Sequence, residues 1–317
     1  MGKTSTTFGI AMRNFQAYPD LPDATSLIEY GVRMEALGYD SVWVWDHILL
    51  GVDPHFPIIE SLSLLTAVAA RTKTIKLGTG LLVLPLRNPV VLAKQLSSID
   101  QISQGRLILG MASGWYKREF DAVGIDYHKR GRIMDRNLEI LKRLWQEDMV
   151  TAEYPPHNLR QSVMFPKPVQ RPRPPILIGG YVDRVLKRAA VDGDGWLTYF
   201  YTPEGFKKSW AKVRGFAEAA GKDPDALTNC NQLPIMVGRR QDVEGPMREW
   251  LRTEWDFASW SESTPDSAIM GTAEECAEQL QAHIDAGIER IIFVPYKYQD
   301  EQIEAVATDV LPKLRTG

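Results

Sequence analysis

The chain has 317 residues, 44% of them hydrophobic and 24% charged, the balance of a globular protein able to bury a sizeable core. Its 37 basic and 40 acidic residues are mixed along the chain and leave a net charge of -3, so no basic face marks it for nucleic acid or an anionic membrane. The only cysteines, Cys230 and Cys276, lack CxxC spacing; they make neither a disulfide framework nor a thiolate metal site and point to a reducing compartment.

Polar residues from Met1 to Thr7 replace the cationic and apolar regions of a secretory leader, and no stretch approaches the roughly 20 apolar residues of a membrane span. A cytoplasmic protein is expected.

Strand-like and helix-like segments then alternate. Phe8 to Ala11 reads as a strand, and Asp23 N-caps a helix through Leu37 whose Leu27, Gly31 and Met34 share a face and which Gly38 ends. Ser41 to Val44 is a second strand, Pro57 to Arg71 a second helix and Ile75 to Val83 a third strand; Pro89, behind Asn88, opens a third helix to Ile102. Leu107 to Met111 is a strand, and Ile133, Ile140, Leu141 and Leu144 give helical periodicity to Gly131 through Trp145. Ile176 to Ile178 and Gly195 to Thr198 follow as strands, with Arg184 to Ala190 helical between them. The helix Pro203 to Ala220, the strand Leu233 to Val237, the helix Ala273 to Ala286, the strand Ile291 to Val294 and a helix after Asp300 complete the series.

Roughly eight strand and helix pairs, with no linker between them, predict a single (β/α)8 TIM barrel over residues 1–317. A doubly wound sheet is the alternative, but no GxGxxG turn follows the first strand. Two stretches break the rhythm. Gln146 to Pro175 carries too many prolines for a helix or a central strand and is expected as an excursion over the C-terminal mouth, or as a spacer. Trp250 to Met270, rich in aromatics, is expected as a second excursion enclosing substrate.

Chemistry is expected where strands end. Ser41-Val-Trp-Val-Trp-Asp-His runs from an apolar strand onto an acid and an imidazole, as a barrel's catalytic rim requires, although Asp46 at a helix N-cap beside an incidental His47 would read the same way. An imidazole there takes or gives a proton near neutral pH. His55, His128, His157 and His283 show no metal-ligand spacing, and no nucleophile elbow, P-loop or zinc signature is present. Gly179-Gly180 between a strand and a helix offers backbone N–H groups and a helix N-terminus to a phosphate, or is simple turn chemistry. Gly78 and Gly80 inside a strand mark a close approach by a ligand or another backbone, or a plain strand relaxed around glycine. After the fourth strand, Ala112 and Ser113 are small enough for a flat ring to approach the backbone. Trp115 and Tyr116 then wall a substrate pocket or simply pack.

Leu77-Gly-Thr-Gly-Leu-Leu-Val-Leu-Pro, Pro89-Val-Val-Leu-Ala-Lys-Gln-Leu, Gly105-Arg-Leu-Ile-Leu-Gly, Pro175-Ile-Leu-Ile-Gly-Gly, Gly193-Asp-Gly-Trp and Gly271-Thr-Ala-Glu-Glu, in that order, resemble the bacterial-luciferase-like family of flavin and deazaflavin oxidoreductases. The pattern is most similar to the subgroup labelled F420-dependent, whose members use F420 or FMN.

The resemblance implies a cofactor site of Asp46, Gly80, Leu81, Ala112, Ser113, Gly179, Gly180, Tyr181 and Val182, with a bulge and a non-prolyl cis peptide at about Gly80-Leu81 backing the ring. It places His47 beside the ring, with Asp46 either bonded to the cofactor or orienting His47, and Trp45, Trp115 and Tyr116 toward substrate. Two positions depart from the family. Tyr181 and Val182 stand where Ser or Thr often follows the glycines, and Trp115 stands where the sugar-phosphate dehydrogenases have a proton-donating carboxylate. Glu119, one turn further on, is as readily a partner of a nearby cation on a solvated face.

The expected function is hydride transfer between F420 and a small organic substrate. An FMNH2-dependent monooxygenase using dioxygen, with a separate flavin reductase, and a non-catalytic flavin-binding barrel are the alternatives. The resemblance also implies a homodimer, and the broadly apolar helix Pro57 to Arg71 is its expected surface, unless the Gln146 to Pro175 excursion covers that helix.

Overall fold

The computed structural model describes residues 5–53, 55–253 and 264–314. Strand β1 (Thr7–Met12) leads to α1 (Ala24–Ala36), β2 (Ser41–Val44), α2 (Ser61–Arg71), β3 (Lys76–Val83), α3 (Pro89–Ile102) and β4 (Leu107–Ala112). A short helix α4 (Lys117–Ala122) and a long one, α5 (Arg130–Gln146), precede the pair β5 (Val150–Tyr154) and β6 (His157–Ser162). Then come β7 (Ile176–Gly179), α6 (Asp183–Val191), β8 (Gly195–Tyr199), α7 (Pro203–Ala219), β9 (Thr228–Val237) and α8 (Arg240–Thr253). The remaining elements are β10 (Ile269–Gly271), α9 (Ala273–Asp285), β11 (Arg290–Pro295) and α10 (Asp300–Ala305).

The sheet runs β11-β1-β2-β3-β4-β7-β8-β9, and β9 pairs with both β8 and β11, which closes a (β/α)8 barrel as expected. The chain divides into two compact units: Met1–Met12, Arg33–Trp43 and Leu177–Gly317 form one, and Arg13–Val32 and Val44–Ile176 the other.

In the first unit, Trp196 on β8 stacks on Phe206 of α7 with ring centroids 5.5 Å apart. Side chains alternate along a strand, so Leu197 and Tyr199 take the opposite face. Strand β9 is ten residues long because its first half pairs with β8 and its last three residues with β10. The sequence pattern shows only its apolar end, Leu233 to Val237, because Asn229, Asn231 and Gln232 interrupt the run although all three are buried. Asn229 earns its burial by bonding both Gly287 O and Glu289 N. Helix α8 was not anticipated: Trp250, expected in a loop, lies in it and is buried, while residues 254–263 of that expected excursion lie outside the described residues. Cys230 and Cys276 are buried free thiols, each pushed up to about 12 by burial.

In the second unit, α2 begins at Ser61 rather than Pro57, because Glu60 caps it by accepting from Ser63 N. Its apolar residues do not present a second face. Leu62, Leu64, Leu65, Val68 and Ala69 are all buried within the chain, Leu64 to 2% exposure, so the apolar breadth that suggested a dimer contact is already used.

The proline-rich stretch is also corrected. Pro155 and Pro156 form the loop of an antiparallel hairpin, β5 with β6, and the prolines stay out of both ladders. The hairpin lies along α5, where Arg136 donates to Pro155 O and the Tyr154 hydroxyl bonds Glu139 and Arg143. Residues 166–170 are tied to the last turns of α3 and α5. Ser97 and Gln101 bond the carbonyls of Pro166 and Lys167, and Lys167 Nζ meets Leu144 O at 2.8 Å. Gln170 Nε2 reaches Leu107 O, the first residue of β4, at 2.8 Å. Residues 166–170 therefore run past the N-terminal end of β4, paired with the C-terminal halves of α3 and α5, while the hairpin lies along the outside of α5.

His283 on α9 is 3% exposed, and burial lowers its pKa to about 4, so the folded protein holds it neutral. Unfolding lets it take up a proton between that value and the ordinary 6.5. Its contribution is therefore complete above pH 6.5 and is lost as pH falls toward 4. Lowering pH from 7 to 5 is expected to remove about 2 kcal/mol through this residue, and denaturant melts of His283→Leu should show a correspondingly flatter pH dependence.

Candidate active site

Where β2 ends, the buried Asn14 clamps the backbone. Its Nδ2 donates to Trp45 O and Ile59 O, and its Oδ1 accepts from Trp45 N. Trp45 is set edge-on to Phe15, with ring centroids 6.4 Å apart. Asp46 follows, 4% exposed, and its carboxylate ties three segments together. It accepts from Ser61 Oγ at 2.7 Å, Val83 N at 2.8 Å and Arg87 Nη2 at 2.6 Å. Arg87 also meets Glu60 at 3.0 Å; burial opposes its charge, but Asp46 and Glu60 together raise its pKa. Asp46 is thus the joint between the end of β2, the start of α2 and the end of β3.

Asp46 does not orient His47. Its bonds run to Ser61, Val83 and Arg87, and the imidazole is held by Glu119. His47 Nδ1 lies 2.9 Å from Glu119 Oε2, while Oε1 of the same carboxylate accepts from Leu49 N at 3.0 Å and Ile48 N at 2.5 Å. The Glu119 side chain is 1% exposed and that of His47 15%. A carboxylate facing Nδ1 as acceptor puts the imidazole proton there and leaves Nε2 to take or give a proton.

The sequence leaves Glu119 open as a replacement acid near Trp115 or as the partner of a nearby cation on a solvated face; its burial rules out the solvated face. The available signal was Phe120 beside it, an aromatic that has to be buried and takes the start of α4 inward with it.

Gly114 makes this placement possible. Its φ is +79°, and a Cβ there would lie 2.6 Å from Val83 Cγ1 and 2.9 Å from Phe120 Cζ, so only glycine lets the chain turn from β4 into α4. Trp115, just beyond, is half exposed and stands edge-on to His47, centroids 5.8 Å apart; Tyr116 packs on Trp115 at 5.4 Å. The expected Gly80-Leu81 cis peptide is present, at a break in the β3 and β4 register between Thr79 and Leu82. Leu81 is partly exposed between the buried Gly80 and Leu82, and Ala112 and Ser113 are partly exposed at the end of β4. The second unit therefore brings together Asp46, His47, Trp115 and Glu119 around the ends of β2, β3 and β4.

Gly179, Gly180, Tyr181 and Val182 belong to the first unit. Gly180 has φ +135°, and a Cβ there would stand 3.0 Å from Val185 Cγ1. Helix α6 starts directly behind with Val182 at the N-cap and no side-chain capping bond. Its first-turn N–H groups can therefore face an anion, although no hydroxyl assists and Asp183, paired with Lys212, brings a negative charge to the same turn. Tyr181 rests edge-on to Tyr199 at 5.1 Å and stacks on Tyr201 at 5.8 Å. Gln232, which no sequence pattern singled out, is paired with Tyr199 across the β8 and β9 ladder; its Nε2 is buried and has no partner among the described residues. Among the described residues, no group of three or more His, Cys, Asp or Glu could hold a metal ion.

Glu119→Ala is expected to leave the backbone donors of Ile48 and Leu49 unmatched and to lower stability by about 3 kcal/mol. Long-range nitrogen–proton spectra should show His47 protonated on Nδ1 in the wild-type protein and shifted toward the Nε2 tautomer in the variant.

The fold agrees with the comparisons. A dehydrogenase of Amycolatopsis mediterranei (strain U-32), described as an F420-dependent glucose-6-phosphate dehydrogenase, is 26% identical and aligns over 91% of this chain and 94% of its own. An FMNH2-dependent dimethylsulfone monooxygenase of Pseudomonas putida is 25% identical over 81% of this chain and 78% of its own. An F420-dependent secondary alcohol dehydrogenase in complex with an F420-acetone adduct superimposes with a TM-score of 0.84 at 20% identity, covering 98% of this chain and all of that one, a likeness of fold. The luciferase-like monooxygenase family model matches residues 6–290, and the chain belongs to that family.

Proposed function

We propose that this chain is an oxidoreductase that binds F420, or alternatively FMN, and moves a hydride to or from a small organic substrate, with His47 handling the accompanying proton. The observation that carries this reading is the pairing of His47 with the buried Glu119, which fixes the imidazole and leaves Nε2 for chemistry.

The residues present suit such a group. The uncapped start of α6 behind Gly179 and Gly180 suits a phosphate, with backbone N–H of Tyr181 and Val182 in place of hydroxyls. Gln232 Nε2 is an orphaned donor of the kind a ring carbonyl satisfies. Ala112 and Ser113, at the end of β4, present little side-chain bulk to a flat ring, and Leu81, at the register break, presents an apolar side chain. When bound, the cofactor would supply the hydride in its reduced form and accept it in its oxidised form. The chain's own work is to hold the Nδ1 proton of His47 against Glu119, so that Nε2 gives a proton to the substrate oxygen or takes one from it, while Trp45, Trp115 and Tyr116 restrict water.

The relatives include both F420-dependent dehydrogenases and FMNH2-dependent monooxygenases by their descriptions, so dioxygen chemistry with reduced FMN, fed by a separate flavin reductase, is the second reading. A non-catalytic flavin-binding barrel is the third. A homodimer in the cytoplasm goes with the leading proposal, and sedimentation at micromolar concentration checks the assembly.

Separate titrations with F420 and FMN, followed by visible spectra, should show saturable binding of F420 and anaerobic turnover. Strict dependence on dioxygen with reduced FMN would instead establish the monooxygenase, and tight binding without turnover the non-catalytic barrel. His47→Ala is expected to lower kcat by about 100-fold or more while leaving cofactor affinity within about twofold; unchanged turnover would remove His47 from the chemistry.

A further inference from the structure

Two loops, residues 14–23 after β1 and 45–60 after β2, are zipped into one layer beside His47. Asn14 bonds the backbone of Trp45 and Ile59, Gln16 N donates to Pro57 O, and Tyr18 N donates to His55 O. Phe15 and Ile58 form a bridge, and Tyr18 stacks on His55 at 4.2 Å. Glu119 pins the second loop by the amides of Ile48 and Leu49.

The side chains this layer exposes are not those of an ordinary loop. Tyr18, Leu21, Ile48, Leu49 and Val52, with Trp115 against the His47 ring, are each between 43% and 69% exposed. Apolar groups gathered in this way around a titratable group mark a ligand surface.

Charge narrows the ligand. Arg13, which opens the first loop, lies over the Phe15 ring at 5.8 Å; residues 14–23 and 45–60 contain no lysine or arginine, whereas Asp20, Asp23 and Asp53 are exposed on them. Two flanking cations are committed elsewhere: Arg87 to Asp46 and Glu60, and Lys117 to Asp121. An anionic substrate approaching His47 across this layer meets like charge and no bidentate partner. Trp115 also supplies no acid.

We infer that the substrate surface beside His47 takes an uncharged, apolar alcohol or carbonyl compound and rejects phosphorylated sugars. The carbonyl or hydroxyl oxygen meets His47 Nε2, and the hydrocarbon part lies on Ile48, Leu49, Val52 and Trp115. The chemistry of this step rests on the proposed function; the binding preference does not.

The test is calorimetric titration of the full chain with 2-octanone and with glucose 6-phosphate, neither of which requires F420 or FMN. Leu49→Asp and Trp115→Ala change exposed side chains, and their melting temperatures confirm folding. Saturable binding of 2-octanone, weakened about 10-fold in each variant, with no saturable glucose 6-phosphate binding, is the expected result.

Tighter binding of glucose 6-phosphate than of the ketone, or ketone binding unchanged in both variants, would overturn the inference. So would sedimentation in which the same substitutions split a dimer while the ketone titration stays the same, since the layer would then be a contact between copies. A chain that binds the ketone but never turns over would sink the proposed function and leave this surface standing, and F420-linked turnover of glucose 6-phosphate would do the reverse.

Discussion

A carboxylate buried to 1% exposure has to be surrounded by donors, and those of Glu119 all come from one short segment: the His47 imidazole and the amides of Ile48 and Leu49. This cluster fixes three things at once. It sets the tautomer of a histidine at a strand end, it holds the loop after β2 in one conformation, and it turns Ile48 and Leu49 outward because their backbone faces inward. The cluster exists because Gly114 lets the chain double back from β4, and because Phe120, fully buried, drives the start of α4 into the protein.

Asp46 works differently from what its position suggests. Next to His47 in sequence, it projects the other way and joins Ser61, Val83 N and Arg87, so it supports the site by fixing where three elements end. The pair that looks like one functional unit in the sequence is two units in space: a structural carboxylate and an imidazole served by a different acid 72 residues away. Buried charge networks of this kind contribute geometry more dependably than stability.

The barrel was legible because most of its strands are apolar runs and its helices carry start and stop signals, as at Asn88 and Gly38. The cis peptide at Gly80-Leu81 was legible through the family resemblance. What could not be read depended on partners distant in sequence. Glu119 looks like any helix-surface acid until Gly114 and Phe120 are placed, and β9 hides its first half behind amide side chains satisfied across the fold, as Asn229 is by Gly287 and Glu289. The prolines of 146–175 were read correctly as breakers. Their destination was misread, because the carbonyl and cation partners that hold them sit on the ends of α3 and α5. Likewise the apolar breadth of α2 signals burial, and sequence alone does not say by what. Family membership fixes the frame, while the substrate side chains on the loops after β1 and β2 follow no pattern that the frame dictates.

Amide hydrogen exchange at Ile48 and Leu49 tests the central claim most directly. Both residues sit on an exposed loop outside any ladder or helix, so the Glu119 carboxylate is what shields their N–H groups. Slow exchange at these two amides in the wild-type protein, falling to the rate of the neighbouring loop in Glu119→Ala while amides within α3 keep their protection, is the predicted result. Exchange at the unprotected loop rate in the wild-type protein, or protection that persists without the carboxylate, would contradict it.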